Sequence, residues 1–195
     1  MVIPPKKPTK ETGLVLSFGS AVAAPVAPFV SGTDILGPGV AFDLRVGAYL
    51  TRHIGIAAGA RFATGHNPYG CGDACVGYMY QVPVVMQLAA KDRTKGVYGE
   101  LGLAFATTYS TSRGGVSATV WSPVELKLAF GGRIPTLRTA GGGVVGSLDL
   151  FIGADIGTMT SGRVEIGRTS TEGSLDGATT WHAVLSLGVA SHFSL

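Results

Sequence analysis

Charge is what this sequence has least of. Lys, Arg, Asp and Glu make up 14% of its 195 residues, against about 25% in ordinary soluble domains. A water-soluble domain so poor in charge would struggle to cover its surface. Basic clusters are missing as well: the formal net charge is only +3, and no run of Lys or Arg is interleaved with aromatics, which argues against a nucleic-acid partner. Long apolar helical runs are also absent. A spanning helix needs roughly 20 mostly apolar residues, and the best stretch, 13–33, carries Pro25, Pro28 and scattered Ser and Gly. No second segment matches its length. Cysteine is limited to Cys71 and Cys75, an even pair that suits an oxidising compartment.

What the chain does have is period two. Hydrophobic residues reach 46% alongside 30 glycines, and they recur at alternate positions, as they do on a strand that sends successive side chains to opposite faces. Eight segments show this: 13–23, 39–50, 54–64, 77–89, 97–109, 119–131, 144–157 and 179–195. One register is mainly apolar and carries no charge on any segment, for example Phe42, Leu44 and Val46, or Leu148, Leu150 and Ile152. Every strand charge falls in the other: Asp43, Arg45, Arg61, Glu100, Glu125, Lys127, Asp149 and Asp155, joined by His182 and His192. A soluble barrel would line its wet face with Lys and Glu. Here the rest of the polar register is Gly, Ala and Ser, as in Gly55, Ala57 and Gly59. Such small residues suit the cramped interior of an eight-stranded barrel. The expected fold is therefore an all-β, eight-stranded antiparallel up-and-down transmembrane β-barrel over 13–195. Its apolar face meets the lipid bilayer and its charges lie in the lumen. Residues 1–12, with Pro4, Pro5 and Pro8, read as an extended lead-in tail.

The connections sharpen the picture. Those at 24–38, 65–76, 110–118 and 158–178 are longer than those at 51–53 and 90–96, and 132–143 is the exception. Bacterial barrels have short periplasmic turns and longer external loops, so both termini are expected in the periplasm. Phe62, Tyr78, Tyr80, Tyr109 and Trp181 stand in the lipid-facing register near the external strand ends, an interfacial aromatic girdle. Lys6, Lys7 and Lys10 precede an apolar run with Ala21-Val22-Ala23. That pattern could be a signal peptide, but Glu11 and the strand-like alternation favour a mature chain whose export signal is not included.

Three groups of residues could carry chemistry. Five lumen acids facing three bases would make either a cation-selective pore or a plug of mutual ion pairs. The narrow bore favours the plug. Cys71 and Cys75, in an external loop with His66, fit a loop-stiffening disulfide better than a metal site, since zinc would lack a fourth good ligand. Lys6, Lys7, Lys10, Arg52, Lys91, Arg93, Lys95, Arg133 and Arg138 gather at the periplasmic side. That basic rim could contact an envelope protein or anionic headgroups, or simply be a solvated edge. No cofactor or metal is expected.

The chain resembles the small eight-stranded outer-membrane barrels of the outer membrane protein A and X type. The closing strand carries the resemblance: Ser186-Leu187-Gly188-Val189-Ala190-Ser191-His192-Phe193 is similar to their assembly signal, with a polar residue, Gly two later and a terminal aromatic. Ser191 and the ending Phe193-Ser194-Leu195 depart from it. The resemblance implies recognition of Ser186, Gly188 and Phe193 by the outer-membrane assembly machinery. His192-Phe193-Ser194 also invites comparison with lipid A deacylases of similar fold, but a lumen-facing pair at the periplasmic end is badly placed for outer-leaflet acyl chains. The expected role is structural or partner-binding rather than enzymatic. A narrow pore for small ions or solutes is the alternative, and a lipid A-modifying enzyme a further one.

Overall fold

The computed structural model describes residues 13–26, 37–66, 76–90, 92, 94–113, 116–139, 144–166, 169–174 and 181–194. The tail 1–12, Cys71 and Cys75 lie outside them. Ten strands and no helix are present among these residues: β1 Gly13–Pro25, β2 Gly39–Tyr49, β3 Ile54–His66, β4 Val76–Ala89, β5 Gly96–Arg113, β6 Val116–Arg138, β7 Val144–Thr158, β8 Ser161–Ile166, β9 Thr169–Ser174 and β10 Trp181–Ser194. Each of β1 to β6 pairs antiparallel with the next, β7 pairs with β10, and β10 returns to β1. Eight strands thus close a barrel with no open edge, and β8 and β9 extend it outside the ring.

Alternation sorts side chains as the sequence implies. On β2, Phe42 and Leu44 are 43% and 53% exposed, while Asp43 between them is 5% exposed. The outward register is apolar around the ring, from Phe18 and Leu44 to Leu103, Leu150 and Leu187. This exposed belt is larger than a soluble monomer tolerates. It is the surface a bilayer solvates. At the end carrying Gly13 and Ser194 the turns are short and locally bonded. Thr51 Oγ1 accepts from the amides of His53 and Ile54, and Asp92 Oδ1 from the amide and hydroxyl of Thr94. These are the turn devices expected of Thr and Asp.

Close backbone approach is bought with glycine at several lumen positions. A Cβ on Gly59 would fall 1.9 Å from the carbonyl oxygen of Leu44, whereas one on Gly132 would meet nothing within 4 Å. Gly59→Ala is therefore expected to cost about 1–3 kcal/mol by overpacking, and Gly132→Ala no more than about 0.5 kcal/mol. The urea midpoints of the two variants in detergent micelles measure the difference.

Strand lengths correct the expected connections. β6 continues to Arg138, so the anomalously long 132–143 connection shrinks to the residues after it. β5 and β6 run almost to their hairpin turn through the expected 110–118 loop. The expected 158–178 loop contains β8 and β9. β8 pairs with Val116–Trp121 of β6 and β9 pairs with β8, so a small blade of sheet rises at the end away from the termini.

The blade begins at a bulge. The β4–β5 register shifts between Tyr80 and Val82, where Ala106 takes a φ of 52°, the one positive φ among non-glycine residues described. Its β6 counterpart in the register is Pro123, a residue that strands tolerate at bulges. Inward positions are Glu100, Gly102 and Ala104 before the bulge but Thr107 and Tyr109 after it. On β6 they change likewise from Val120 and Ser122 to Glu125 and Lys127. Tyr109 is consequently fully buried in the interior and is not part of the aromatic girdle; Val120, at 7% exposure, is also inside rather than facing lipid. Beyond the bulge the outward register of β5 changes from Leu101, Leu103 and Phe105 to Thr108 and Ser110. The apolar belt ends there.

Candidate functional site

The barrel interior is the chemically distinctive part of the molecule, and it is layered by position along the strands. Nearest the blade lies an apolar cluster of Ala21, Ala23, Ala41, Ala63, Met79, Tyr109, Val120, Met159 and Val184. Polar groups fill the remainder.

Below the apolar layer, Glu125 Oε1 lies 2.7 Å from His182 Nε2 and accepts from Tyr109 OH at 2.9 Å. Gln81 Nε2 donates to its other oxygen at 3.3 Å. A Cβ on Gly157 would fall 2.5 Å from Glu125 Cγ, so the small residue opposite makes room for the carboxylate. The next layer is built on Asp155, which accepts from Arg61 Nη1 and Lys127 Nζ, both at 2.8 Å. Arg61 also donates to Ser186 Oγ, and Lys127 to Gln81 Oε1 at 3.2 Å, linking this layer to the one above. Asp43 accepts from Arg45 Nη2 at 3.0 Å, and Arg45 Nη1 donates to Glu100 at 2.9 Å. Gln87 supplies Glu100's second oxygen with a donor at 2.9 Å.

At the terminal end, Arg133 donates to both oxygens of Asp149 through Nε and Nη2 at 2.7 Å, and through Nη1 to Tyr49 OH. Its guanidinium lies 5.0 Å from the ring centre of Tyr98. His192 Nε2 is 2.8 Å from Asp149 Oδ2. The histidine of the His-x-Ser pair therefore engages a carboxylate that an arginine already holds.

All eight ionic residues expected in the lumen, Asp43, Arg45, Arg61, Glu100, Glu125, Lys127, Asp149 and Asp155, are placed inside and within this set of contacts. Arg133 was expected on the periplasmic basic rim; at 5% exposure it is inside the barrel. The interior thus sets four Lys or Arg side chains, not three, against five carboxylates, with His182 and His192 each on an acid. Arg133 continues the register Lys127, Ala129, Gly131, so the signal was present but lay beyond the expected strand end. Gln81 and Gln87 also stood in the polar register. Tyr49 and Tyr98 carried no cue beyond it.

Among the girdle residues, Phe62, Tyr78, Tyr80 and Trp181 are 42–47% exposed at the blade end, and the Phe62 and Tyr78 rings are 6.0 Å apart. On the closing strand Ser186 is buried and Phe193 is 40% exposed. A Cβ on Gly188 would fall 2.3 Å from Ser20 O.

Eight closed strands, an apolar outer belt and an ion-paired interior define a transmembrane β-barrel of the outer-membrane type. Its resemblance to solved barrels is one of fold. The crystal structure of Neisserial surface protein A matches with a TM-score of 0.59 at 13% identity, covering 94% of this chain and 97% of that one. Ail, the attachment invasion locus protein of Yersinia pestis, matches with a TM-score of 0.49 at 15% identity, covering 93% and 99%. No protein-family model and no curated protein matches the sequence.

Proposed function

We propose that the chain is an outer-membrane protein whose barrel is a closed anchor, displaying its extramembrane segments to a partner in the cell envelope or outside it. One observation carries this reading. The interior is crossed by ion pairs between buried side chains, above which sits an apolar cluster, while β5, β6, β8 and β9 are committed to a sheet beyond the lipid belt. An eight-stranded bore is just wide enough for side chains to fill, so the charges serve each other rather than a stream of ions. The short turns at the end bearing the chain termini support a periplasmic position for that end, with the blade facing outward. Ser186, Gly188 and Phe193 serve as the signal for the assembly machinery, and Cys71 and Cys75 as a loop disulfide. Function on such scaffolds lies in the site and not in the fold, so the role assigned is structural and interactive, without catalysis.

Planar bilayer recording of the purified protein tests the closed anchor. The expected record is electrically silent or shows only brief, irregular events. Large, stable, ion-selective steps from the monomer would replace the anchor by a pore.

A further inference from the structure

The lower lumen contains polar atoms that the ion-pair network leaves over. Asp43 Oδ2, Arg45 Nε and Arg61 Nε are buried and have no hydrogen-bond partner among the described residues. Their side chains are 6%, 11% and 3% exposed. Arg61 Nε stands 3.8 Å from Asp43 Oδ2, beyond direct hydrogen-bonding range. All three residues line one cavity, together with Ser17, Lys127 and Glu100 among others, and about 30 Å³ of it is open to the centre of a water molecule. A single water needs roughly 10–15 Å³ on that measure.

Leaving such atoms without partners carries the full desolvation penalty of each, which is larger for charged groups. What can satisfy them follows from their chemistry. Two are N–H donors on guanidinium groups and the third is a carboxylate acceptor. A water molecule accepts two hydrogen bonds and donates two, which matches the set. A monatomic anion would suit the two donors but face the Asp43 oxygen. A metal cation would suit Asp43 but face two guanidiniums. We propose that this cavity is a binding site for one or two ordered water molecules that bridge Asp43 to Arg61 and Arg45, and that its donor–acceptor set rejects ions of either sign. A second cavity shares Ser17, Arg45, Glu100 and His192 with the first, so the proposed hydration extends to both cavities that the Arg45–Glu100 pair lines. The half of the barrel nearer the termini is hydrated yet free of ions.

This goes beyond a closed anchor, since a silent barrel could be dry throughout. Crystals of the full chain grown in detergent, one set with bromide and one with rubidium, test it. The expected result is a density peak within about 3.2 Å of both Arg61 Nε and Asp43 Oδ2, with no anomalous signal from either ion. A bromide or rubidium peak there overturns the site, as does a direct Asp43–Arg61 bond that closes the cavity. In micelles, the Nε–H resonance of Arg61 should show a cross-relaxation peak to water. That of Arg133, which donates to Asp149 Oδ1 at 2.7 Å, should not. A missing Arg61 peak equally overturns the proposal. Bilayer conductance plays no part in either readout, so this inference and the closed-anchor reading fail separately.

Discussion

Asp155→Ala is expected to lower the stability of the barrel by about 3–5 kcal/mol, the range found when one member of a buried ion pair is removed. Asp155 is 1% exposed and accepts from Arg61 and Lys127 at 2.8 Å each. Alanine would leave two cations facing each other in a space water enters poorly. Asp43 cannot take over without movement, since its nearer oxygen stands 3.8 Å from Arg61 and its other oxygen is held by Arg45. Urea unfolding in detergent, followed by a heat-modifiability gel, measures the loss. Arg163→Ala supplies the contrast. Arg163 pairs with Glu165 and Glu172 on the blade, but its side chain is 39% exposed, and pairs in water contribute at most about 1 kcal/mol. If Asp155→Ala behaves like Arg163→Ala, the lumen network is not what holds the strands' inner faces together.

Leu44→Arg is the second large effect, with an expected loss of roughly 2–4 kcal/mol, the depth-dependent penalty for a charge facing hydrocarbon near the bilayer midplane. Leu44 is the sixth of the eleven residues of β2 and is 53% exposed. Its neighbour Arg45 already carries that charge on the opposite face, bound to Asp43 and Glu100. The same side chain one position apart is thus expected to be required in one place and damaging in the other. Refolding yield into bilayers of defined thickness reads the effect. A fully tolerated Leu44→Arg in lipid would mean that this belt does not face hydrocarbon.

The two predictions rest on the same alternation, and the alternation explains how much was legible in advance. A strand's inside and outside are encoded by odd and even positions, so Asp43, Arg61 and Asp155 could be assigned to one face without coordinates. Which of them touch could not be assigned. Arg61 and Asp155 are 94 residues apart and meet across the lumen from strands that do not pair. Barrel closure and stagger, not local sequence, set that meeting. Arg133 was missed for a simpler reason. Its register was correct, but the expected strand stopped at Gly131 and left 132–143 as a connection, whereas β5 and β7 both continue alongside Gly131, Gly132 and Arg133. Pairing partners on two sides hold a glycine-rich stretch extended even where local propensity is weak.

Tyr109 shows where parity itself fails. Counting by twos from Leu101 and Leu103 puts Tyr109 among the lipid-facing aromatics. One extra residue at Ala106, matched by Pro123 on β6, turns every side chain on the blade side of both strands to the other face. Pro123 was a visible hint of irregularity. Nothing local required Ala106 to adopt a left-handed conformation.

The sequence by itself determined the class of molecule: an outer face for lipid, an inner face for charge, and eight passes between short and long connections. Those follow from side-chain chemistry repeated every second residue, which any extended chain expresses. Only the tertiary structure decided which charges neutralise which, where the bilayer-facing surface stops, and that a pair of extra strands stands on β6. These depend on the stagger of neighbouring strands and on a bulge one residue long, and a period-two pattern carries no information about either.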